Sequence, residues 1–487
     1  MRLDQYQWSR NPRGLHVRQV LVTPLDFARW TAPRFGWVKL VEAEYEYVDD
    51  AQTFLSLGIT PVVRHYVERP GAYPFTQDIR DRTLAYIRAG VKWFEFYNEP
   101  NLPIEWPPGT WIDWRNYDGI IRPLMDNWLA WAEFVVSQGG YPGFPALAES
   151  DAPDSAAVRW MDAFLNYLAR AHFNRFKNLL ANGLYVATHP YILNHYYQQL
   201  PGGGPLSARP PEAQNAREPG WHFEYPYDPI CQFRDPGRTV FGGTPLTPNG
   251  DPVGLTAMGR MFNERCQQIW GTQAVPVLGT EGGIFPFDDA DVPFYQQDNR
   301  YPPYTSFSQA EGTVAMFEWI ARQAPPWFFG VCLWKEDEYY KTGPVRAIAR
   351  LQETPPILCS VPPLDVFGSG QYFGPMTGPG PFQGEPNFHA IVLAPGLDTR
   401  WFFDTARAYW NQFRPMVTTA WNFVEHIPPT RSLAVTVIAP PDMADALRQS
   451  IQQKYPNVLF DLILAADSPG QVADVLNARV RSNRRFG

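Results

Sequence analysis

The chain has 487 residues and a formal charge of −8, from 41 Lys and Arg against 49 Asp and Glu. Hydrophobic residues make up 45% and charged residues 18%, which excludes a chain that its own charge keeps disordered. The mild acidic balance also argues against a nucleic-acid partner, which would favour a basic face. The 50 prolines and the 15% of aromatic residues point to long, ordered loops.

The cysteines and the N-terminus exclude further classes of protein. Cys231, Cys266, Cys332 and Cys359 lie far apart, so the sequence holds no CxxC metal or redox motif. Its apolar runs are far shorter than the ~20 residues of a membrane span, and we expect no membrane partner. The first ten residues lack the apolar segment of a secretory signal. We therefore expect a cytoplasmic protein as the sequence is written, or a secreted one if it was trimmed; the oligomeric state stays open.

Short β-type runs alternate with helical stretches through the first three quarters of the chain. The predicted strands are Gly14–Arg18, Gly36–Glu44, Ile59–Tyr66, Val91–Glu99, Phe144–Glu149, Leu184–Tyr191, Val275–Glu281 and Phe328–Trp334. The predicted helices include Thr76–Ala89, Asp126–Gln138, Asp154–Ala181, Leu255–Trp270, Phe307–Gln323 and a last one near Val345–Glu353. Eight strands, each followed by a helix, predict an α/β fold: a (β/α)8 TIM barrel over residues 1–353.

Two long loops interrupt this alternation. Residues 196–249, after the sixth strand, are rich in Gly, Pro and aromatic residues, which favours an ordered lid over a linker. Residues 285–304, after the seventh strand, carry Asp288, Asp289 and Asp291. Both loops would lie on the face where barrel active sites are found.

The rest of the chain is predicted as a Pro/Gly-rich linker, 354–386, and a small α/β accessory domain, 387–487. The strands of this domain are predicted at His389–Ala394, Leu433–Ala439 and Val458–Ala465, and its helices at Thr399–Val424, Asp442–Lys454 and Gly470–Arg481. A carbohydrate-binding module would usually be all-β, so none is predicted, and the domain shows no catalytic motif.

Two strand ends carry carboxylates. The fourth strand ends on Asn98-Glu99 before Pro100, and the seventh ends on Glu281 before Gly282-Gly283. In a closed eight-strand barrel these ends face each other across the opening, where catalytic residues lie. Two facing carboxylates are the apparatus that breaks a glycosidic bond. The alternative for Glu99 is a strand-end carboxylate that caps a neighbouring helix.

Residues from further strands complete a pattern that resembles glycoside hydrolase clan A. They are His189-Pro-Tyr191 after strand six, Trp334 after strand eight and Arg64 from an early strand. Clan A enzymes are retaining TIM-barrel glycosidases with an acid/base Glu after strand four and a nucleophile Glu after strand seven. The segment Trp93–Asn101 resembles families 5 and 39 in particular.

The resemblance implies a retaining glycoside hydrolase that cleaves β-linked glycosides by double displacement, with Glu99 as acid/base and Glu281 as nucleophile. It implies an oligosaccharide or polysaccharide substrate and neither a metal nor an organic cofactor. For retention we expect the two carboxyl groups ~5–5.5 Å apart. The residues expected to bind substrate are Asn98, His189, Tyr191, Trp334, Arg64, His65, Trp106 and Trp111.

The expected roles follow from the chemistry. Tyr191 would donate its hydroxyl to Glu281, and Arg64 would lower the pKa of that carboxylate. Asn98 would bond the sugar 2-hydroxyl. Trp334 would offer an apolar platform, with barrel packing as the alternative; His189 has the same structural alternative. Trp106 and Trp111 would line outer subsites or simply pack their loop. Glu149 and Glu44 would touch sugar hydroxyls or stay solvated.

Three other functions were weighed on the same barrel. A metal-dependent amidohydrolase would want His-x-His on the first strand, where the sequence reads His16-Val-Arg18. A Schiff-base aldolase needs a buried Lys on a central strand, and few lysines lie near strands. A non-catalytic carbohydrate-binding or structural protein on a degenerate barrel is the main alternative. The sugar, the linkage and endo or exo action stay open, although the long sixth loop favours exo action or short oligosaccharides.

Overall fold

The computed structural model describes the chain except residues 19–23, 151, 193–195, 205–206, 225–227, 249, 253, 273, 285–300, 303, 361–387, 421–432, 455–458, 466–468, 483–484 and 486–487. It forms two compact units, Met1–Pro362 and Pro363–Gly487. The acidic residues of the second loop and most of the predicted linker lie outside the described residues.

The first unit is a closed parallel barrel. Its strands are β1 (Arg13–His16), β2 (Trp37–Glu42), β3 (Thr60–His65), β4 (Trp93–Glu95), β5 (Tyr141–Phe144), β6 (Tyr185–Thr188), β7 (Val277–Ile284) and β8 (Phe328–Leu333). They pair in chain order, and β8 pairs with both β7 and β1, which closes the sheet. The predicted (β/α)8 TIM barrel is confirmed.

Burial on both faces explains why most of these strands could be predicted from the sequence. In β7 and β8 every residue is buried, because the inner face fills the barrel and the outer face meets the helices. Such strands read as continuous apolar runs rather than as an alternation. β5 departs from this pattern, since its sequence Tyr-Pro-Gly-Phe carries two residues that are depleted in strands. Its predicted position, Phe144–Glu149, is therefore wrong, because it begins only at the last residue of the observed strand.

Helices surround the barrel between the strands. They are α1 (Ala28–Thr31), α2 (Val48–Ser56), α3 (Gln77–Arg88), α4 (Arg122–Ser137), α5 (Ala157–Ala171), α6 (Phe173–Asn182), α7 (Pro229–Arg234), α8 (Ala257–Trp270), α9 (Ser306–Arg322), α10 (Glu336–Tyr339) and α11 (Val345–Glu353). Local signals set their ends: the hydroxyl of Thr76 accepts from the Ile79 N–H at the start of α3. None of the helices described is long and apolar enough to cross a membrane.

The predicted single helix Asp154–Ala181 is wrong, because the chain breaks between α5 and α6. His172 adopts φ −137° and ψ 31°, outside the helical region. Its ring lies 2.7 Å from the Asp126 carboxylate on α4. A tertiary contact with a neighbouring helix therefore accompanies a break that the apolar pattern alone does not reveal.

The insertion after β6 folds onto itself where it is described. Tyr197–Gln198 pairs with Trp221–His222 as a short antiparallel ladder. The Tyr196 ring packs on Phe223 with a centroid separation of 4.2 Å. Aromatic packing thus holds this segment together beside the C-terminal ends of the strands.

The second unit is a parallel sheet with helices. Its strands are β9 (Phe388–Leu393), β10 (Met416–Thr418), β11 (Leu433–Ala439) and β12 (Leu459–Leu464), in the order β10-β9-β11-β12. Its helices are α12 (Thr399–Phe413), α13 (Pro441–Lys454) and α14 (Pro469–Arg481). The predicted helix Thr399–Val424 is too long, because Arg414 takes φ +48° before Pro415, which cannot continue a helix.

Candidate active site

Glu281 is held inside the barrel by His16 of β1, Arg64 of β3 and Tyr191, which follows β6. It lies within β7, not at its end as predicted, and its side chain is 4% exposed. Arg64, next to last in β3, donates from Nη1 to Glu281 Oε1 at 2.6 Å. Tyr191 donates its hydroxyl to Oε2 at 3.1 Å, and His16 Nε2 lies 3.6 Å from Oε1. The carboxylate is therefore fixed from both oxygens.

These neighbours decide its charge. Burial would raise the pKa of Glu281, but the charges of His189 and Arg64 and the imidazole of His16 outweigh it and hold that pKa well below its usual range. A buried carboxylate that stays ionised is suited to act as a nucleophile or to stabilise positive charge.

Asn98 and Glu99 sit on a turn rather than on a strand. β4 runs only from Trp93 to Glu95, so the predicted strand Val91–Glu99 begins two residues too early and ends four residues too late. Glu99 adopts φ +33°, a conformation that costs a non-glycine residue free energy and that clusters at functional sites. The turn points the Glu99 side chain, 16% exposed, into the cavity above the barrel.

His189 links the two carboxylates. Its Nδ1 lies 2.7 Å from Glu99 Oε1 and 3.7 Å from Glu281 Oε2. Burial would lower the pKa of His189, but the carboxylates of Glu281 and Glu99 outweigh it and raise that pKa. One oxygen of Glu99 and one of Glu281 lie within 4.8 Å of each other. The site therefore joins an anionic carboxylate and a second carboxylate through one imidazole.

Glu99, His189 and Glu281 also have the donor types that hold metal ions. A metal would need a neutral imidazole, whereas these carboxylates favour the protonated form of His189. The Arg64 guanidinium already supplies a positive charge beside Glu281. The same three side chains are joined by a hydrogen bond between His189 and Glu99, and Arg64 and Tyr191 bind the oxygens of Glu281.

A cavity of about 560 Å³ opens over these residues. Arg64, Asn98, Glu99, Tyr191, Glu281 and Trp334 line it. Trp334 follows β8 directly and contacts the His16 ring edge-on at 4.5 Å between centroids. The volume falls within the range of about 300–1,000 Å³ that small-molecule sites occupy.

Two expected substrate-binding residues, His65 and Trp106, have other partners, and a third, Trp111, is exposed to solvent. His65 is buried, with Nδ1 against Glu42 and Nε2 2.9 Å from Thr83 Oγ1, so both ring nitrogens are used outside the barrel interior. Trp106 is 5% exposed, and its indole N–H donates to the Pro100 carbonyl at 2.7 Å. Trp111 is 67% exposed and is not among the residues that line the cavity.

The structure adds residues that the sequence did not single out. Glu105 lines the cavity, and its Oε1 accepts from Asn98 Nδ2 at 2.8 Å. Deeper in the barrel, Lys39 and Glu95 form a buried ion pair. The charge of Lys39 on β2 carried a weak signal, since a lysine in an otherwise apolar strand needs a partner. Glu105 gave none, because it lies in the single 3₁₀ turn Pro103–Glu105 of a Pro-rich loop, which is too short to show a pattern.

Comparisons with known proteins give distant likenesses only. No protein-family model matches the chain, and no curated protein matches its sequence. A curdlan-specific exo-β-1,3-glucanase of family GH128 (subgroup III) from Blastomyces gilchristii, in complex with glucose, is 13% identical with a TM-score of 0.34, covering 71% of this chain and 100% of its own.

Two further solved structures are similar at a lower level. A GH10 xylanase from Thermobacillus composti is 12% identical with a TM-score of 0.26, covering 66% of this chain and 99% of its own. A structure of a GCN5-related glucosamine N-acetyltransferase region in a fungal multi-domain GH3 β-N-acetylglucosaminidase is 9% identical with a TM-score of 0.28, covering 96% and 57%. TM-scores of this size carry no argument about this chain's activity.

Proposed function

We propose that this protein is a retaining glycoside hydrolase that acts on β-linked oligosaccharides or polysaccharides. The observation that carries the proposal is the pair of carboxylates, Glu99 and Glu281, with oxygens within 4.8 Å in two different environments. Retaining enzymes place these groups about 5–5.5 Å apart, whereas inverting enzymes leave about 6.5–9.5 Å for a water molecule.

In the first step Glu281 attacks the anomeric carbon. Arg64 and Tyr191 aim its oxygens, and the low pKa keeps it anionic. Glu99 protonates the leaving oxygen as the glycosidic bond breaks, and the aglycone departs with that proton. The product is a glycosyl ester on Glu281.

In the second step Glu99, now a carboxylate, takes a proton from water as the water attacks the same carbon. The ester bond to Glu281 breaks, and the sugar leaves with its original anomeric configuration. His189 Nδ1 lies 2.7 Å from Glu99 Oε1, so the imidazole orients the carboxyl group that gives up a proton in the first step and takes one back in the second. The neighbouring face of Trp334 supplies an apolar wall for the sugar ring.

The test begins with a panel of aryl β-glycosides and β-linked polysaccharides. We expect turnover by the wild type and its loss by at least ~10⁴-fold in Glu281→Gln, because a covalent nucleophile is removed. Glu353→Gln is the matched control: Glu353 is an exposed carboxylate on α11 that is not among the residues lining the cavity, and its loss should leave most activity.

Two further measurements separate the roles of the carboxylates. Glu99→Gln should keep substantial activity on aryl glycosides whose leaving group needs no proton, and lose it on alkyl glycosides. Proton NMR of the first-formed sugar should show the β-anomer. Formation of the α-anomer, or equal turnover by wild type and Glu281→Gln, would contradict the proposed mechanism.

A further inference from the structure

The Asn98 amide is held at both of its polar ends. Its Oδ1 accepts from Arg64, and its Nδ2 donates to Glu105 Oε1 at 2.8 Å. An amide side chain turned by 180° exchanges oxygen and nitrogen, so one partner does not define its orientation well. Here a cation faces the oxygen and a carboxyl group faces the nitrogen. Nδ2 has two hydrogens, and the bond to Glu105 uses one of them.

We propose that Glu105 is a positioning residue, which turns the second N–H of Asn98 toward the sugar 2-hydroxyl and so makes catalysis depend on that hydroxyl. The inference rests on the proposed function and extends it to a residue of the loop after β4. A bond to the 2-hydroxyl strengthens at the transition state of glycoside cleavage, so its geometry affects the rate.

Hydrogen bonds and close packing restrain the loop that carries Glu105. The Glu105 carbonyl accepts from the Gly71 N–H at 2.8 Å, which joins this loop to the one after β3. Trp106, the residue that follows Glu105, holds the loop through the hydrogen bond from its indole N–H to the Pro100 carbonyl. Gly71 has φ +49°, and a Cβ there would come within 2.9 Å of the Trp106 ring, so only glycine fits without a shift. The expected subsite residue Trp106 thus serves as an anchor.

The surroundings of Glu105 fit a positioning role and not a solvated surface acid. Its side chain is partly buried and lines the cavity beside Glu99. Burial raises its pKa, and the nearby carboxylates of Glu99 and Glu281 add to this, against the lowering by Asn98 and Arg64. The Asn98–Glu105 bond therefore lies in a shielded place where its direction matters.

The experiment compares an aryl β-glycoside with its 2-deoxy analogue. On the 2-hydroxy substrate Glu105→Ala should lose about 10- to 100-fold in kcat/KM, the usual effect of removing a residue that orients another. On the 2-deoxy substrate it should match the wild type. Glu105→Gln, whose amide oxygen can still accept from Asn98, should recover most of the loss.

A double-mutant cycle tests whether Glu105 acts through Asn98. Asn98→Ala with Glu105→Ala should be no slower than Asn98→Ala alone, since both changes remove one interaction. Equal losses on the two substrates, or additive losses in the double variant, would overturn the proposal. Thermal unfolding of each variant separates a folding defect from a positioning defect.

A crystal structure of Glu105→Ala tests the orientation of the Asn98 amide independently of any activity. We expect the Asn98 amide to rotate away from its wild-type orientation. An unmoved amide would overturn the Glu105 proposal whether or not the enzyme proves to be a glycosidase. Absence of turnover by the wild type across the whole panel would instead count against the proposed function.

Discussion

Replacing Arg64 by Met should move the acid limit of activity upward. Arg64 Nη1 lies 2.6 Å from Glu281 Oε1, and both side chains are less than 8% exposed. Glu281 has a pKa well below its usual range, so it is ionised, and active, down to low pH. Without the guanidinium, burial still raises the pKa of Glu281, and the charge of His189 and the imidazole of His16 remain to oppose that rise.

The size of the shift follows from the geometry. Two unit charges about 4 Å apart interact by about 4 kcal/mol at an effective dielectric constant near 20. At about 1.36 kcal/mol per pKa unit this corresponds to about 3 units. Carboxylates beside an arginine show pKa values lowered by about 1–3 units. We therefore expect the acidic limb to rise by about 1–3 pH units in Arg64→Met.

The assay is the pH dependence of kcat/KM, which reports the free enzyme. The wild type should retain activity to lower pH than Arg64→Met, with a smaller difference near neutral pH. Arg64→Lys keeps a charge but loses the planar guanidinium that contacts both Asn98 and Glu281, so its limb should stay low while its rate falls. An acidic limb in folded Arg64→Met that coincides with the wild-type limb would refute the electrostatic argument.

Three further predictions follow. Lys39→Met should cost about 3–5 kcal/mol in urea unfolding, because it leaves Glu95 charged and buried, and adding Glu95→Leu should restore most of it; a milder loss would mean that water reaches this pair. Tyr191→Phe removes one donor to Glu281 and should lower kcat/KM about 10- to 100-fold with little change in KM; an unchanged rate would remove Tyr191 from the site. Burial lowers the pKa of His389 from 6.5 to about 4, so the unfolded chain takes up its proton first as pH falls; hydrogen exchange should show the second unit about 2 kcal/mol less stable at pH 5 than at pH 7, and His389→Asn should flatten that slope.

Much of the barrel could be predicted because its strands are buried on both faces. Apolar runs mark them, and only β5, with its Pro and Gly, was misplaced. The candidate site residues Asn98, Glu99 and Glu281 were predicted at the ends of such runs, whereas the structure places Glu281 within β7 and the other two on the turn after β4. The break at His172 and the short β10 depend on a tertiary contact and on a proline after the helix, which periodicity does not record.

His65 shows a signal that was present in the sequence but unused. Neighbouring residues of a strand point to opposite faces. With Arg64 directed into the barrel, His65 must face the helices, where it contacts Glu42 and Thr83. Glu105 differs, since the three residues of its 3₁₀ turn, Pro103–Glu105, are too few to show a periodic pattern. Its contact with Asn98 depends on the path of the loop and could be found only in three dimensions.

Glu99, which has a positive φ, and Glu281 are held by different kinds of structure. Glu281 belongs to the sheet, and its place is set by the pairing of β7 with its neighbours. Glu99 belongs to a turn that Gly71 and Pro100 fasten from outside the sheet. Changing the turn would therefore alter the distance between the carboxylates while the barrel stays intact. In the proposed reaction that distance separates retention from inversion, so we expect exchange of the turn alone to change the stereochemical outcome.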